Sequence, residues 1–277
     1  MAINLTIAIP TKNSSARISE CIKSIGFNFA KEIVVIDSMS SDNTAELATN
    51  LGAKVLQFKW NGKYPKKRNW FLMERTPNTE WVLFLDDDEL LTDESKKAIR
   101  KAIINSTYSG YWLNYNIYSS GRKLNFGYPL KKLALFKTNA GYFEKINEDF
   151  WSELDMEIHE HPIILGKKGN IRAKIEHKVN YNEPNWRIKH LEYAKWEAKR
   201  FLQISNTRNH FTIFQKLKYT IIKSPFAGMF FFLGSFIFYC GFLDGKNGLK
   251  YAYLKGCYFN WINQAIQLQL NKCEEKG

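Results

Sequence analysis

Along the first hundred positions, apolar residues fall into short runs separated by stretches with helical spacing. LTIAIP (5–10), EIVVID (32–37), AKVLQF (53–58) and WVLFL (81–85) are too short for helices. They largely lack polar alternation, as strands buried on both faces do. Between them, Ser15 to Ile25 puts Ile18, Cys21, Ile22 and Ile25 on one helical face. Ser41 and Asp42 can cap a helix that runs through Ala48 and stops near Gly52. Lys66 to Glu74 reads as a helix, and Thr92 can cap another to about Ile104. This βαβαβαβ order predicts an α/β fold with a mostly parallel central sheet, right-handed crossovers and flanking helices. Ligands of such sheets sit at the carboxyl ends of the strands, where Asp37 and Asp86 stand.

Past residue 105 the pattern changes. GYWLNYNIY (110–118), LALFKT (133–138) and NIRAKIEH (170–177) predict further strands, and residues 185–223 carry Leu191, Ala194, Ala198, Phe201 and Leu202 at helical spacing. Residues 225–243 then hold no charge at all, with Lys223 before and Asp244 after. Three readings fit this run: a membrane span, since its length lies just inside the range; a buried hairpin element, given Gly228, Gly234 and Gly241; or a helix lying in the membrane interface. The amphipathic, aromatic stretch 248–266 that follows favours the interface.

Charge sharpens that picture. The formal net charge is +13. Residues 1–100 carry 14 Lys and Arg against 13 Asp and Glu, whereas residues 101–277 carry 26 against 14. The stretch 165–223 alone has 14 against 4, which points to an anionic partner such as headgroups. The four cysteines are far apart without a CxxC, so neither a zinc site nor a disulfide framework is expected, and a reducing compartment fits. The first residues read as a strand rather than a signal peptide.

The chemistry concentrates where WVLFL runs into Asp86, Asp87, Asp88 and Glu89. Adjacent carboxylates resist ionising together unless something compensates them. Asp86-x-Asp88 at a strand end would put two carboxylates within reach of one Mg²⁺ or Mn²⁺ bound to a diphosphate. A solvated acidic turn leading into the helix after Thr92 is the competing reading. Three further segments favour the first: IPTKN (9–13), VVIDSMSSDNT (34–44) and KYPKKRNW (63–70).

The order P-T-x-N, E-I-V-V-x-D-S-x-S-x-D-x-T, G-A-x-V, W-x-G…K-x-N and W-V-L-x-L-D-x-D-E resembles the family 2 glycosyltransferases. These are inverting enzymes of the nucleotide-diphospho-sugar transferase (GT-A) fold. Within them the chain is most similar to the bacterial lipopolysaccharide core β-glucosyltransferase group. The motifs cover residues 5–91 and continue through IHE (158–160), GKKGNI (166–171), EH (176–177) and GFLDGKNGLKYA (241–252). The resemblance implies a GT-A catalytic domain over 1–180, with a nucleotide-sugar half (1–104) and an acceptor half (105–180). Residues 181–277 would form a helical, basic and apolar membrane-associating region. It also implies roles. Asp37 would accept from a uridine base, with Pro10, Thr11 and Asn13 lining that pocket. Asp86 would approach the ribose and the metal, Asp87 would belong to the nucleotide-sugar-binding residues, and Arg68 or Lys67 would neutralise phosphate charge. Asp88 would hold the metal, with Asp86 and His159 as further candidate ligands.

An inverting transfer to a hydroxyl needs a general base opposite the leaving diphosphate. Glu160 in MEIHEHP is the first candidate and Asp149 in NEDFW the second. The resulting expectation is a metal-dependent transferase of a hexose, glucose from UDP-glucose, to a lipid-linked saccharide such as lipopolysaccharide core. It would work at the cytoplasmic face of the bacterial inner membrane, peripheral or monotopic. A polyprenyl phosphate acceptor is the close alternative. A non-catalytic sugar-nucleotide binder is disfavoured by the intact Asp86, Asp88 and Glu160. Nucleic-acid binding is disfavoured too: no recognised motif is present, and the basic stretch abuts an apolar one.

Overall fold

A computed structural model describes residues 1–119, 121–145, 154–157, 162–178, 184–206 and 219–274. The chain divides into two compact units. The first holds residues 1–116 and 130–178, the second residues 117–129 and 179–277. The segment 117–129, expected within the acceptor half, thus clusters with the C-terminal residues.

The first unit opens β1 (Ile3–Thr11), α1 (Ile18–Ile25), β2 (Ala30–Asp37), α2 (Thr44–Asn50), β3 (Lys54–Gln57), α3 (Lys67–Glu74) and β4 (Trp81–Phe84). This is the alternation expected from the hydrophobic pattern, with ends shifted by one to three residues. The first helix starts later than Ser15. The cap position of α2 is Asn43, while Asp42 accepts from the Thr44 backbone N–H at 3.1 Å. Next come β5 (Glu89–Leu90) and α4 (Asp93–Ile103), which Thr92 and Ser95 close with a reciprocal capping box. Then follow β6 (Gly110–Ser119), β7 (Arg122–Leu124), β8 (Leu130–Lys137), β9 (Gly141–Phe143), β10 (Pro162–Ile164) and β11 (Lys168–His177).

The main sheet runs β3-β2-β1-β4-β8-β6-β11-β5. β3, β2, β1 and β4 are parallel neighbours, whereas β4–β8, β8–β6 and β11–β5 are antiparallel. The sheet is therefore mixed, with the parallel half confined to the first ninety residues. The short link from β6 to β8 is too brief for the crossover that a parallel neighbour needs. β9 and β10 form a separate pair.

Both faces of the parallel half are covered, which explains the unbroken apolar runs. Leu5, Ile7, Ile9, Leu83 and Leu85 pack with Ile18, Ile22 and Ile25 of α1 and Ile99 of α4. Ala8, Val34, Ile36, Val82 and Phe84 pack on the other side with Phe71, Leu72 and Phe136. Each fully buried Ile or Leu contributes about 1.5–3 kcal/mol over an exposed one. The strand order places a topological switch between β1 and β4, because the chain steps outward from β1 to β3 and then returns to β1's other side.

In the second unit, α5 (Pro184–Asn206) packs Ala194, Ala198 and Phe201 against Tyr219, Ile222, Ile262 and Ile266. The uncharged run is not one helix. It forms α6 (Ala227–Leu233), a π turn at Gly234–Phe238 and a 3₁₀ turn at Gly241–Asp244, and then enters α7 (Gly245–Glu274). Cys240, at φ 54°, turns the chain between them. Among the described residues no single helix is long and apolar enough to cross a membrane. The pair 227–238 and 241–271 passes that test together, bent by 75°.

Candidate active site at the carboxyl ends of β1, β2 and β4

Asp37 ends β2 and is 1% exposed. Its carboxylate accepts from Thr11 Oγ1 at 3.1 Å, from the Ser40 backbone N–H at 3.0 Å and from Ser40 Oγ. The Ser38 N–H donates to Thr11 O at 3.0 Å, so the ends of β1 and β2 are tied together. Ser38 Oγ is buried next to this carboxylate without a hydrogen-bond partner among the described residues. Pro10 is buried as the penultimate residue of β1.

The loops that follow β1 and β2 are laced to each other. Asn13, at φ 52°, donates its N–H to Ser40 Oγ at 2.8 Å and accepts from the Ser41 N–H at 2.9 Å. The Ser14 N–H donates to Thr44 Oγ1 at 2.7 Å, and the Ser15 N–H to Asp42 Oδ2 at 3.0 Å. Burial alone would raise the Asp42 carboxyl. The hydrogen bonds from Thr44 and Ser15 outweigh it and hold the carboxyl at about 2.

The start of α3 links this nucleus to the acidic turn. Lys67 is turned inward, with a side chain 2% exposed. Its ammonium donates to Thr11 O at 2.9 Å and lies 3.5 Å from Asp155 Oδ2. Burial lowers its pKa, and Asp155 opposes that shift. Lys67, the alternative to Arg68 for the phosphates, braces the end of β1. The next residue, Arg68, faces the acidic turn, with Nη2 2.8 Å from Asp86 Oδ1. Its Nη1 donates to the Glu157 carbonyl. Arg68 Nε is buried without a hydrogen-bond partner among the described residues. The Glu157 carboxylate caps α3, accepting from the Arg68 N–H at 2.9 Å and the Asn69 N–H at 3.0 Å. Asn69 in turn exchanges two 2.8 Å bonds with the Phe143 backbone and so fixes β9.

The acidic cluster is compensated largely by the protein's own cations. Asp86 Oδ2 lies 2.6 Å from Lys132 Nζ on β8, and Lys132 also bonds Glu89. Burial would raise Asp86, but Lys132 and Arg68 overcome it and hold the group ionised, well below the usual carboxylate range. Glu89 is fully buried, and its carboxyl is pushed up to about 8, chiefly by burial and despite Lys132. Asp87 pairs with Arg17 Nη2 at 3.0 Å, and burial with the neighbouring Asp88 raises its pKa. Asp88 Oδ1 lies 3.5 Å from His177 Nε2. That proximity follows from register: β5 pairs antiparallel with β11, setting His177 opposite Glu89. Cys21 lies beneath, its thiol pushed well up by burial and the four acids.

Thr11, Asn13, Asp37 and Lys67 thus form one hydrogen-bonded set beside the buried Pro10, and Arg68, the residue after Lys67, pairs with Asp86, with Asp87 and Asp88 on the adjoining turn. Asp149, His159 and Glu160 lie outside the described residues. Among the described residues no group of three His, Cys, Asp or Glu side chains is arranged to hold a metal. Both Asp86 oxygens are engaged by cations, and Asp88 stands beside His177. Sequence reasoning missed Arg17, Lys132, Asp155 and Glu157, and it met His177 only as part of the EH motif. The only mark of Lys132 is a charge interrupting an apolar strand. Asp155 and Glu157 carry no mark at all.

The sequence matches the profile described as Glycosyl transferase family 2 over residues 6–161, more than half the chain. An uncharacterised glycosyltransferase of Rickettsia prowazekii is 26% identical over 248 residues, covering 85% of this chain and 80% of that protein. A counterpart in Rickettsia bellii is 37% identical over 109 residues, 39% of this chain and 35% of its own. Among solved structures, residues 1–349 of Staphylococcus aureus TarS in complex with UDP-GlcNAc align with a TM-score of 0.47 and 18% identity. That alignment covers 95% of this chain and 82% of that one. The profile match spans every strand end that builds the site, from Thr11 to Asp88, and the chain accordingly belongs to glycosyl transferase family 2 and is a glycosyltransferase.

Proposed function

We propose that the chain transfers a hexose from a uridine diphosphate sugar, with inversion, to a lipid-linked saccharide at an anionic membrane surface. The observation that carries the donor half is the pair of orphaned buried groups, Ser38 Oγ and Arg68 Nε, at the switch between β1 and β4. Buried donors without acceptors are costly and mark a missing partner. Ser38 adjoins the Asp37 carboxylate, which suits the imino N–H of a uracil. Arg68 adjoins Asp86 and suits a diphosphate oxygen.

Asp88 fits a divalent cation of the Mg²⁺ or Mn²⁺ type, a hard ion that needs only one or two protein carboxylates when phosphate oxygens supply the rest. Asp86 does not fit while Arg68 and Lys132 hold both its oxygens. When bound, such an ion stabilises the charge developing on the departing diphosphate. Asp37 fixes the base, Arg68 takes up phosphate charge, and Glu160 accepts the proton of the attacking hydroxyl. Glu160 follows Glu157 by three residues, and Glu157 is anchored on Arg68 and Asn69. The lipopolysaccharide core as acceptor, and glucose as the sugar, rest on the motif resemblance. The membrane surface rests on the basic and apolar character of the second unit.

Titration calorimetry with UDP-glucose, UDP-galactose and UDP-N-acetylglucosamine, with and without Mn²⁺, tests the donor. Binding of one of them, lost on Asp88→Ala without the ion's help, is the expected result. Transfer assays with Glu160→Gln test the acceptor. A large loss of kcat fits a hydroxyl, whereas an unimpaired variant indicates a phosphate acceptor of the polyprenyl type, which needs little base.

A further inference from the structure

The loop that leaves the β6–β7 hairpin, residues 125–128, is stitched to the bend between α6 and α7. The Asp244 carboxylate accepts from the Asn125 N–H at 3.0 Å and the Phe126 N–H at 2.8 Å. The Gly127 N–H donates to Tyr239 O at 2.8 Å, and the Tyr128 N–H to Ser235 Oγ at 3.4 Å. Tyr251 Oη closes the set on Tyr128 O at 3.3 Å, and the Tyr128 and Tyr239 rings meet edge to face. Gly127 sits at φ 90°, where a Cβ would press on Tyr251. Four consecutive backbone N–H groups are thus satisfied by the bend. A loop in water has no need of this, because solvent would satisfy them. At lipid depth it is required.

What surrounds these bonds is apolar and exposed: Phe126 43%, Tyr128 47%, Phe238 83%, Tyr239 44%, Phe242 49% and Leu243 57%. Exposed cations flank the patch, Arg122 and Lys123 on the hairpin and Lys246 at the start of α7. Phe and Tyr beside Lys and Arg suit the boundary between acyl chains and anionic headgroups. The 75° bend and the two irregular turns keep the segment from crossing as one straight helix.

We propose that the loop Phe126–Tyr128, which leaves the β6–β7 hairpin toward β8, and the bend Gly234–Leu243 form a single wedge that inserts into the interface of an anionic bilayer, with Asp244 holding the loop in it. This rests on the membrane reading above and adds an element, the hairpin's trailing loop, that lies about a hundred residues from the apolar run.

The test is flotation of the full chain with phosphatidylcholine vesicles, with and without phosphatidylglycerol. The variants are Phe126→Ser, Phe238→Ser and Asp244→Ala, with Phe27→Ser, an exposed phenylalanine of the first unit, as control. The wedge predicts that wild type floats with the anionic vesicles. Phe126→Ser and Phe238→Ser each weaken partitioning about tenfold, roughly 1.4 kcal/mol, Asp244→Ala weakens it, and Phe27→Ser leaves it unchanged. Phe126→Ser changes an exposed ring and keeps the test valid if Asp244→Ala unfolds, which thermal melts would show. If Phe238→Ser weakens binding but Phe126→Ser matches wild type, the hairpin inference is overturned while the membrane reading stands. If wild type floats with neither vesicle, both fail. Concentration-dependent dimerisation in sedimentation would then assign the patch to a second copy of the chain.

Discussion

Glu157 caps α3 from a segment almost ninety residues away, and its removal has a calculable cost. Its carboxylate is buried and accepts the Arg68 and Asn69 N–H groups, which lie in the first turn and have no intrahelical partner. Glu157→Ala leaves both donors buried and unsatisfied, at about 1–3 kcal/mol each. Loss of the negative charge at the helix N-terminus adds about 0.3–1 kcal/mol. The total expected from urea unfolding is about 2–7 kcal/mol. Glu157→Gln keeps an acceptor oxygen and loses mainly the charge, so about 1–2 kcal/mol is expected. The alanine variant should also lose transfer activity beyond its loss of stability at temperatures where it is folded, because the chain toward Glu160 loses its anchor. An alanine variant within about 0.5 kcal/mol of wild type, the usual range for surface changes, would refute the reasoning.

Lys132→Met removes a cation from Asp86 and Glu89 together. A lowered melting temperature and weakened donor binding are expected, and a variant equal to wild type in both would show that Arg68 alone compensates Asp86. Asp42 titrates at about 2, below its ordinary 3.8, so its stabilisation is full above about pH 4 and fades as pH falls through 2. The stability gap between wild type and Asp42→Asn should therefore hold from pH 7 to about 5 and shrink between 4 and 2. A gap constant across that window would contradict the assignment. In the second unit a Cβ on Gly248 would lie 1.8 Å from Gly241 O, a backbone atom. Gly248→Ala should destabilise by at least about 1–3 kcal/mol in differential scanning calorimetry, and a neutral result would mean α7 can slide away.

The parallel half of the sheet was legible because its code is local. Short apolar runs alternate with amphipathic stretches, and Ile18, Cys21, Ile22 and Ile25 all point inward as their spacing required. The strand-end position of Asp37 and Asp86 followed from the same pattern. The antiparallel half was legible as strands but not as pairings. β8 entering beside β4 depends on contacts more than forty residues apart, and no local spacing encodes them. The same distance hid Lys132 and Glu157 from sequence reasoning, and it explains the partial correction at the acidic turn. Four adjacent carboxylates did demand compensation, but Lys132, Arg68 and Arg17 supply much of it, not a metal ion alone. The inward turn of Lys67 was not legible either, because a sequence shows charge and not burial.

The central claim is that the Thr11–Asp37–Arg68–Asp86 network receives a uridine diphosphate sugar at the switch between β1 and β4. Calorimetric titration of UDP into wild type and Asp37→Asn, in Mn²⁺, tests it most directly. The account predicts saturable binding to wild type and at least a tenfold weaker association with the variant, about 1.4 kcal/mol. Equal affinity in the two proteins would contradict it.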